Sequence, residues 1–400
     1  MTSYRQGNSI PDDNNLERAI AASKEEEAKA RELALANTQY DVDDPAIQAL
    51  VSKAINNEKT PPRKHHIVPA SYLRRWTEAK QLRVTNVDEG NSWTCAPEKA
   101  ARITDFYSMA SEDVDPAVVP PLFAETQLSE IEELGKHAID DFLQHGLSSR
   151  NSTSKDSLAI FLGFQHVRGT GTRERSQAIT REQFKMQYGD LSDEKLSDLA
   201  QKSSVPPTPE QLAESKRFIA GIQDGSIEIQ QQTAAAVSLS FSMALPVAEE
   251  LSKRHWVILR TPHMLLTCDE PVVPIGGPGT SRGMQSGVGE AWVVVFALEP
   301  GALLAMFKHP PRRHWLRDLT TAETVEINHE ILAHSHKLAF EKASRRMSAA
   351  LKVPRLSSLL EITEHPVEGE SARSLLSFYT PSRWKDSDAP PPWPVERWYR

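Results

Sequence analysis

The chain has 400 residues, 39% of them hydrophobic and 25% charged, with 46 basic against 54 acidic side chains and a formal net charge of −8. That length corresponds to about two to three ordinary folding units, and the net acidity argues against a generic polyanion binder. Two cysteines, Cys95 and Cys268, exclude a disulfide scaffold and a cysteine-based zinc site and fit a reducing compartment.

The first sixty residues are read as an acidic helical arm. Leu16 to Asn37 is rich in Ala, Glu, Lys, Leu and Arg, which favour helix, but it lacks a wide apolar stripe. Asp44-Pro45 opens a second short helix, with proline at its first position. Met1 to Asn15 has no secretory apolar core, and no apolar run approaches the ~18 residues of a membrane helix. The expectation is a soluble cytoplasmic protein with no membrane partner.

Thr60-Pro61-Pro62 marks the start of the core, read as residues 61–380. Pro69 opens a short helix with Tyr72, Leu73 and Trp76 on its apolar face. Leu82 to Val87 alternates as a strand does. Leu128, Ile131, Leu134, Ala138, Ile139 and Phe142 keep helical spacing up to Gly146, a helix stop. Leu158 to Val167 is almost wholly apolar and reads as a buried helix ending at Gly169. Residues 180–210 are polar and proline-terminated, and read as a linker or insertion. Helices follow at 208–222 and 230–250.

After Arg254 the pattern changes to short apolar runs at 256–259, 264–267, 292–296 and 302–307, with turn residues between them. No helical period separates consecutive runs, so they predict hairpins and an antiparallel sheet. Thr321 to Met347 reads as helix again. The tail, 381–400, carries five prolines and three tryptophans. The fold class is therefore α+β, a mainly helical core with a small antiparallel sheet from the C-terminal half.

The sharpest local signal is the segment from Arg63 to Trp76, which contains His65-His66-Ile67-Val68-Pro69. Neighbouring side chains of an extended segment point to opposite faces, so one imidazole faces a site and the other is structural. Imidazole titrates near neutral pH and serves as acid, base or metal ligand.

The residues from His65 to Trp76 resemble the opening signature of the domain of unknown function 4238 family. Further matches follow in order: Asp105-Phe106-Tyr107, Glu125, Gln165 to Arg168, Thr267-Cys268-Asp269-Glu270-Pro271, Phe296 to Pro300, and Asn328 in a late helix. The resemblance covers about residues 63 to 345. Ala70, Trp76 and Cys268 depart from the family pattern. The family has no settled activity, so the resemblance implies architecture and candidate positions.

Those positions are polar residues at element ends beside apolar runs, where binding groups tend to sit. Together they suggest one pocket that holds a divalent ion and activates water. In that reading His66 is base or ligand, His65, Glu125 and Asp269 are metal ligands, Arg168 clamps an anion, and Gln165 and Asn328 orient. The function expected is a metal-assisted hydrolase, with a phosphodiester or nucleic acid as one substrate class. His-His-Ile-x-Pro also resembles the opening of ββα-metal nucleases, but the second metal-binding histidine is missing, since His137 is too distant.

In the arm, Leu16 to Glu26 resembles a ubiquitin-interacting motif. Leu16, Ala19, Ile20, Ser23 and Glu26 fill its places, and spacings of three, four and seven share one helix face. The alternative function is thus a non-enzymatic scaffold that binds ubiquitin through this helix.

Overall fold

A computed structural model describes residues 45–56, 64–108, 120, 122–147, 152–188, 192–201, 207–366 and 374–400. The ubiquitin-type segment, Leu16 to Glu26, lies outside the described residues.

The chain is α+β. Helix α1 (Pro45–Asn56) precedes strand β1 (Lys64–His66), the short helix α2 (Ala70–Leu73), and strands β2 (Leu82–Asn86), β3 (Ser92–Cys95) and β4 (Arg102–Thr104). A run of helices follows: α3 (Phe123–His145), α4 (Ser152–Val167), α5 (Thr170–Tyr188), α6 (Asp193–Gln201), α7 (Pro209–Asp224) and α8 (Thr233–Lys253). The C-terminal part holds β5 (His255–Arg260), β6 (Thr267–Cys268), β7 (Val273–Ile275), β8 (Val293–Glu299) and β9 (Ala302–Phe307). Helix α9 (Thr321–His334), β10 (Leu338–Lys342), α10 (Met347–Ala350) and the hairpin β11 (Glu361–Pro366) and β12 (Ser374–Tyr379) complete it.

One antiparallel sheet has the order β5-β9-β8-β7. Val293 to Leu298 and Ala302 to Phe307 are all buried, so this sheet is covered on both faces. That is why its strands read as unbroken apolar runs rather than alternating ones. The second sheet has the order β3-β2-β10-β6, and β1 pairs with β4 in a separate two-stranded ribbon.

Helices α3 and α4 bury Leu128, Phe142, Leu158 and Leu162 in the same core as the sheets. Helix α8 lies against α4 at Gly163, where an added Cβ would come within 2.3 Å of the Ala244 carbonyl oxygen. Helix α8 is also, among the described residues, the one helix long and apolar enough by composition to cross a membrane. It turns Val237, Phe241, Ala244 and Leu251 into the core.

Two segments gain detail beyond the sequence reading. The stretch read as a linker or insertion at 180–210 carries helix, because α5 runs to Tyr188 and α6 and α7 follow. Its polar composition reflects weakly buried helices whose outer faces meet solvent. The helix expected over Thr321 to Met347 ends at His334. Leu338 to Lys342 is instead a strand with β2 on one side and β6 on the other. Pairing on both edges overrides the weak helical preference of Ala, Glu and Lys.

The tail packs onto the body. Trp398 is fully buried and meets Phe307 edge to face, with ring centroids 5.3 Å apart. The Trp292 indole N–H donates to the Trp398 carbonyl at 3.0 Å.

Candidate functional site

In β1, His65 lies opposite Ile103 of β4, and His66 lies opposite Arg102. His65 is buried, and its Nδ1 forms a hydrogen bond with Glu125 Oε2. A carboxylate only accepts, so this nitrogen carries the hydrogen. Glu125 stands in the first turn of α3. Glu132 is seven residues further on, two turns away on the same face.

Helix α4 brings the next two groups. The Gln165 Nε2 donates to the Ile67 carbonyl at 3.0 Å, two residues past His65. Gln165 Oε1 accepts from Arg168 Nε and Nη2 at 3.1 and 2.7 Å, and Arg168 Nη1 donates to Glu132 Oε1 at 2.8 Å. Buried Arg168 is thus matched by one carboxylate and one amide, as a desolvated guanidinium requires.

The turn Asp105-Phe106-Tyr107 closes the cluster. Arg173 of α5 stacks over the Phe106 ring at 3.5 Å and donates to the Phe106 carbonyl at 2.5 Å. The buried Tyr107 ring meets His65 edge to face at 5.6 Å. Burial pushes its hydroxyl up to about 12, with Arg168 and Arg173 pulling down and Glu132 and Glu125 pushing up. The phenol therefore stays protonated at neutral pH.

His66 is half-buried, and its Nε2 is enclosed with no hydrogen-bond partner. Burial lowers its pKa, helped by the charges of Arg102 and Arg168, against the Glu98 carbonyl and Glu125. The ring is neutral at pH 7 and presents an acceptor.

Asp269 and Asn328 do other work. Asp269 Oδ1 accepts from the His336 backbone N–H at 2.9 Å, and Oδ2 from those of Lys337 and Leu338 at 2.8 and 2.9 Å. Burial and the Glu270 carboxylate push Asp269 up to about 6, against these N–H donors. Asn328 Oδ1 accepts from the Leu266 N–H at 2.7 Å, and its Nδ2 donates to the Met264 carbonyl at 2.9 Å. Asn328 holds the backbone that leads into β6, and Asp269, just past β6, holds the backbone that leads into β10. His65, His66, Glu125, Gln165 and Arg168 are thus brought together, whereas Asp269 and Asn328 are not turned to them. Among the described residues, no three of His, Cys, Asp and Glu are placed to hold one metal ion.

Several residues of the site are absent from the sequence reading. Glu132 was legible only as the seven-residue echo of Glu125. Arg173 needed the turn at Gly169 between α4 and α5, and Tyr107 appeared in the sequence only as part of a motif. A second buried cluster was also missed. Glu270 Oε1 accepts from the Thr172 N–H at 3.1 Å, and Oε2 lies 3.3 Å from Arg175 Nη2. A Cβ on Gly169 or Gly171 would come within 2.6 Å of Glu270 Oε1, so both glycines admit the carboxylate to the N-terminus of α5. His166 and His334 flank it, each pushed down to about 4, mainly by burial. His336 Nε2 lies 3.2 Å from Glu174, and that contact holds Glu174 at about 2.

The model of the family described as protein of unknown function (DUF4238) matches residues 64–345. The chain belongs to that family. No curated protein and no solved structure matches it. The DUF4238 match begins at β1 and ends just past β10, so it takes in both polar clusters and both four-stranded sheets.

Proposed function

We propose that this DUF4238 protein is a hydrolase that uses His66 as general base on an anionic ester, with a phosphodiester as the favoured class. The observation that carries the reading is the His66 Nε2: enclosed, unpartnered and neutral at pH 7 beside two guanidinium groups. A buried polar atom without a partner asks for one, and a water or substrate hydroxyl would supply it. The base takes that proton as the oxygen attacks.

The His65–Glu125 pair fixes the neighbouring imidazole in one tautomer. Arg102 and Arg168 supply positive charge for the ester anion, and Arg168 is held rigid by Gln165 and Glu132. Tyr107, protonated and with no partner for its hydroxyl, is the donor for the departing oxygen. A divalent ion enters no step of this scheme: of the ligands expected, only His65 and Glu125 are adjacent, and Glu125 is already engaged.

Hydrolysis of bis(4-nitrophenyl) phosphate by the full chain tests this. Loss of the base in His66→Gln is expected to reduce kcat about 10²- to 10⁴-fold with the melting temperature retained. The acid limb of the wild-type rate profile is expected below the ordinary imidazole value of 6.5, because burial lowers the His66 pKa. No turnover by the wild type, or full turnover by the folded variant, would refute the reading.

A further inference from the structure

Away from the imidazole centre, a cavity of about 680 Å³ opens between the 261–264 turn, the β8–β9 hairpin, the start of α9 and the end of β10. Its volume is that of an ordinary small-molecule site. On a chain of net charge −8, the charged lining is mostly cationic: Arg75, Lys342 and Arg345, with His263 beside them. The acid in the lining, Glu299, has Arg260 Nη1 3.2 Å away.

Three further observations point to an anion there. Among the described residues, neither Lys342 nor Arg345 has an ion-pair partner within 4 Å; their charge is felt by Glu78, whose carboxylate already accepts from the Ser344 N–H at 3.0 Å. Arg75 donates through Nη2 to Asp140 at 2.7 Å, while its buried Nε has no partner. Thr321 opens helix α9 at the cavity wall, so the positive end of a 14-residue helix faces the same space. Glu323, the acid of that first turn, closes the capping box with Thr320, accepting from its N–H at 2.8 Å, and its charge is matched by Arg397 at 2.7 Å. The apolar part of the lining is Met264, Pro300, Val325 and Met347, and Thr261, Thr324 and Asn328 add neutral polar groups.

We infer that this cavity binds an organic phosphate: Lys342, Arg345 and Arg75 take the phosphate, and the Met264–Val325–Met347 wall takes a compact apolar body. The site is separate from His66 and does not depend on its chemistry. Guanidinium and ammonium groups suit a phosphate of two charges, and the apolar wall adds affinity that inorganic phosphate cannot use.

Titration calorimetry of the full chain at low salt, with phenylphosphonate and inorganic phosphate as probes, decides it. Phenylphosphonate is expected to bind saturably, more tightly than inorganic phosphate and more weakly as salt is added. The exposed substitution Arg345→Gln, and the double variant with Lys342→Ala, are expected to weaken binding about tenfold or more, and Lys342→Arg to restore it. His66→Ala is expected to bind as the wild type does, which separates this site from the proposed hydrolytic centre. Undetectable binding of both probes, equal affinity for them, or unchanged affinity in the folded Arg345→Gln and double variants would overturn the inference.

Discussion

Gln165 and Ile67 are joined by a side-chain-to-backbone hydrogen bond of 3.0 Å that ties the end of α4 to the segment just after His65. The same amide turns its oxygen to Arg168, so one side chain sets both the imidazole strand and the guanidinium. Gln165→Leu is expected to cost about 2–4 kcal/mol, since it strands a buried carbonyl and leaves the Arg168 charge with Glu132 alone. Gln165→Glu is expected to retain more stability, because a carboxylate still accepts from Arg168. Urea unfolding of the two variants checks this, and a smaller loss in the leucine variant would show that the network is not under tension from burial.

Asp269 meets three consecutive backbone N–H groups where α9 gives way to β10. Replacing it by alanine orphans all three in a buried place, at an expected cost of about 3 kcal/mol or more. Asparagine keeps one acceptor oxygen and is expected to fall between. Guanidinium unfolding supplies the measurement. If Asp269 were poised for chemistry instead, Asp269→Ala would lose turnover while keeping its unfolding midpoint.

These two carboxyl and amide groups show where the sequence was informative. Strands β5, β8 and β9 and helices α3 and α4 were legible because their apolar periods are long. The extended Lys-His-His segment was legible because a following proline disfavours helix. Gln165, Arg168, Glu125 and His65 stood out as polar residues at element ends, and they do meet. Asp269 and Asn328 stood out by the same signal, yet they satisfy backbone groups; a sequence does not distinguish a polar side chain that faces a cleft from one that caps a chain reversal. The pairings made by Glu132, Arg173 and Glu270 were not legible, because they depend on how α3, α5 and the β6–β7 turn come together.

Acid sensitivity follows from the second cluster. His166 and His334 fall to about 4 in the folded chain, against 6.5 when unfolded. Between those values the unfolded chain binds up to two extra protons, so stability is lost as pH falls through this window. Asp269, pushed up to about 6 from 3.8, acts in the opposite direction: the folded chain holds its proton longer. From these three groups the balance is about one proton, a slope of about 1.4 kcal/mol per pH unit between pH 6 and 5, and Glu174, held at about 2 against 4.5, adds to it nearer pH 4. His334→Gln is expected to flatten that slope and Asp269→Asn to steepen it. Unfolding midpoints from pH 4 to 7 give the three slopes, and identical slopes would refute the assignment.

The tail is expected to be part of the fold. Arg397 donates to the carbonyls of His314 and Trp315 at 2.6 and 3.1 Å and to Glu323 at 2.7 Å, which positions Trp398 against Phe307. Because Trp398 is fully buried, Trp398→Ala leaves a large cavity beside β9, and such truncations cost about 3–5 kcal/mol. Trp398→Phe keeps most of the volume and is expected to recover over half of that loss. Arg397→Ala removes the clamp but not the ring, and is expected to cost less than Trp398→Ala. Thermal unfolding of the three variants ranks them. If Trp398→Ala melted with the wild type, the tail would be resting on the body rather than completing its core.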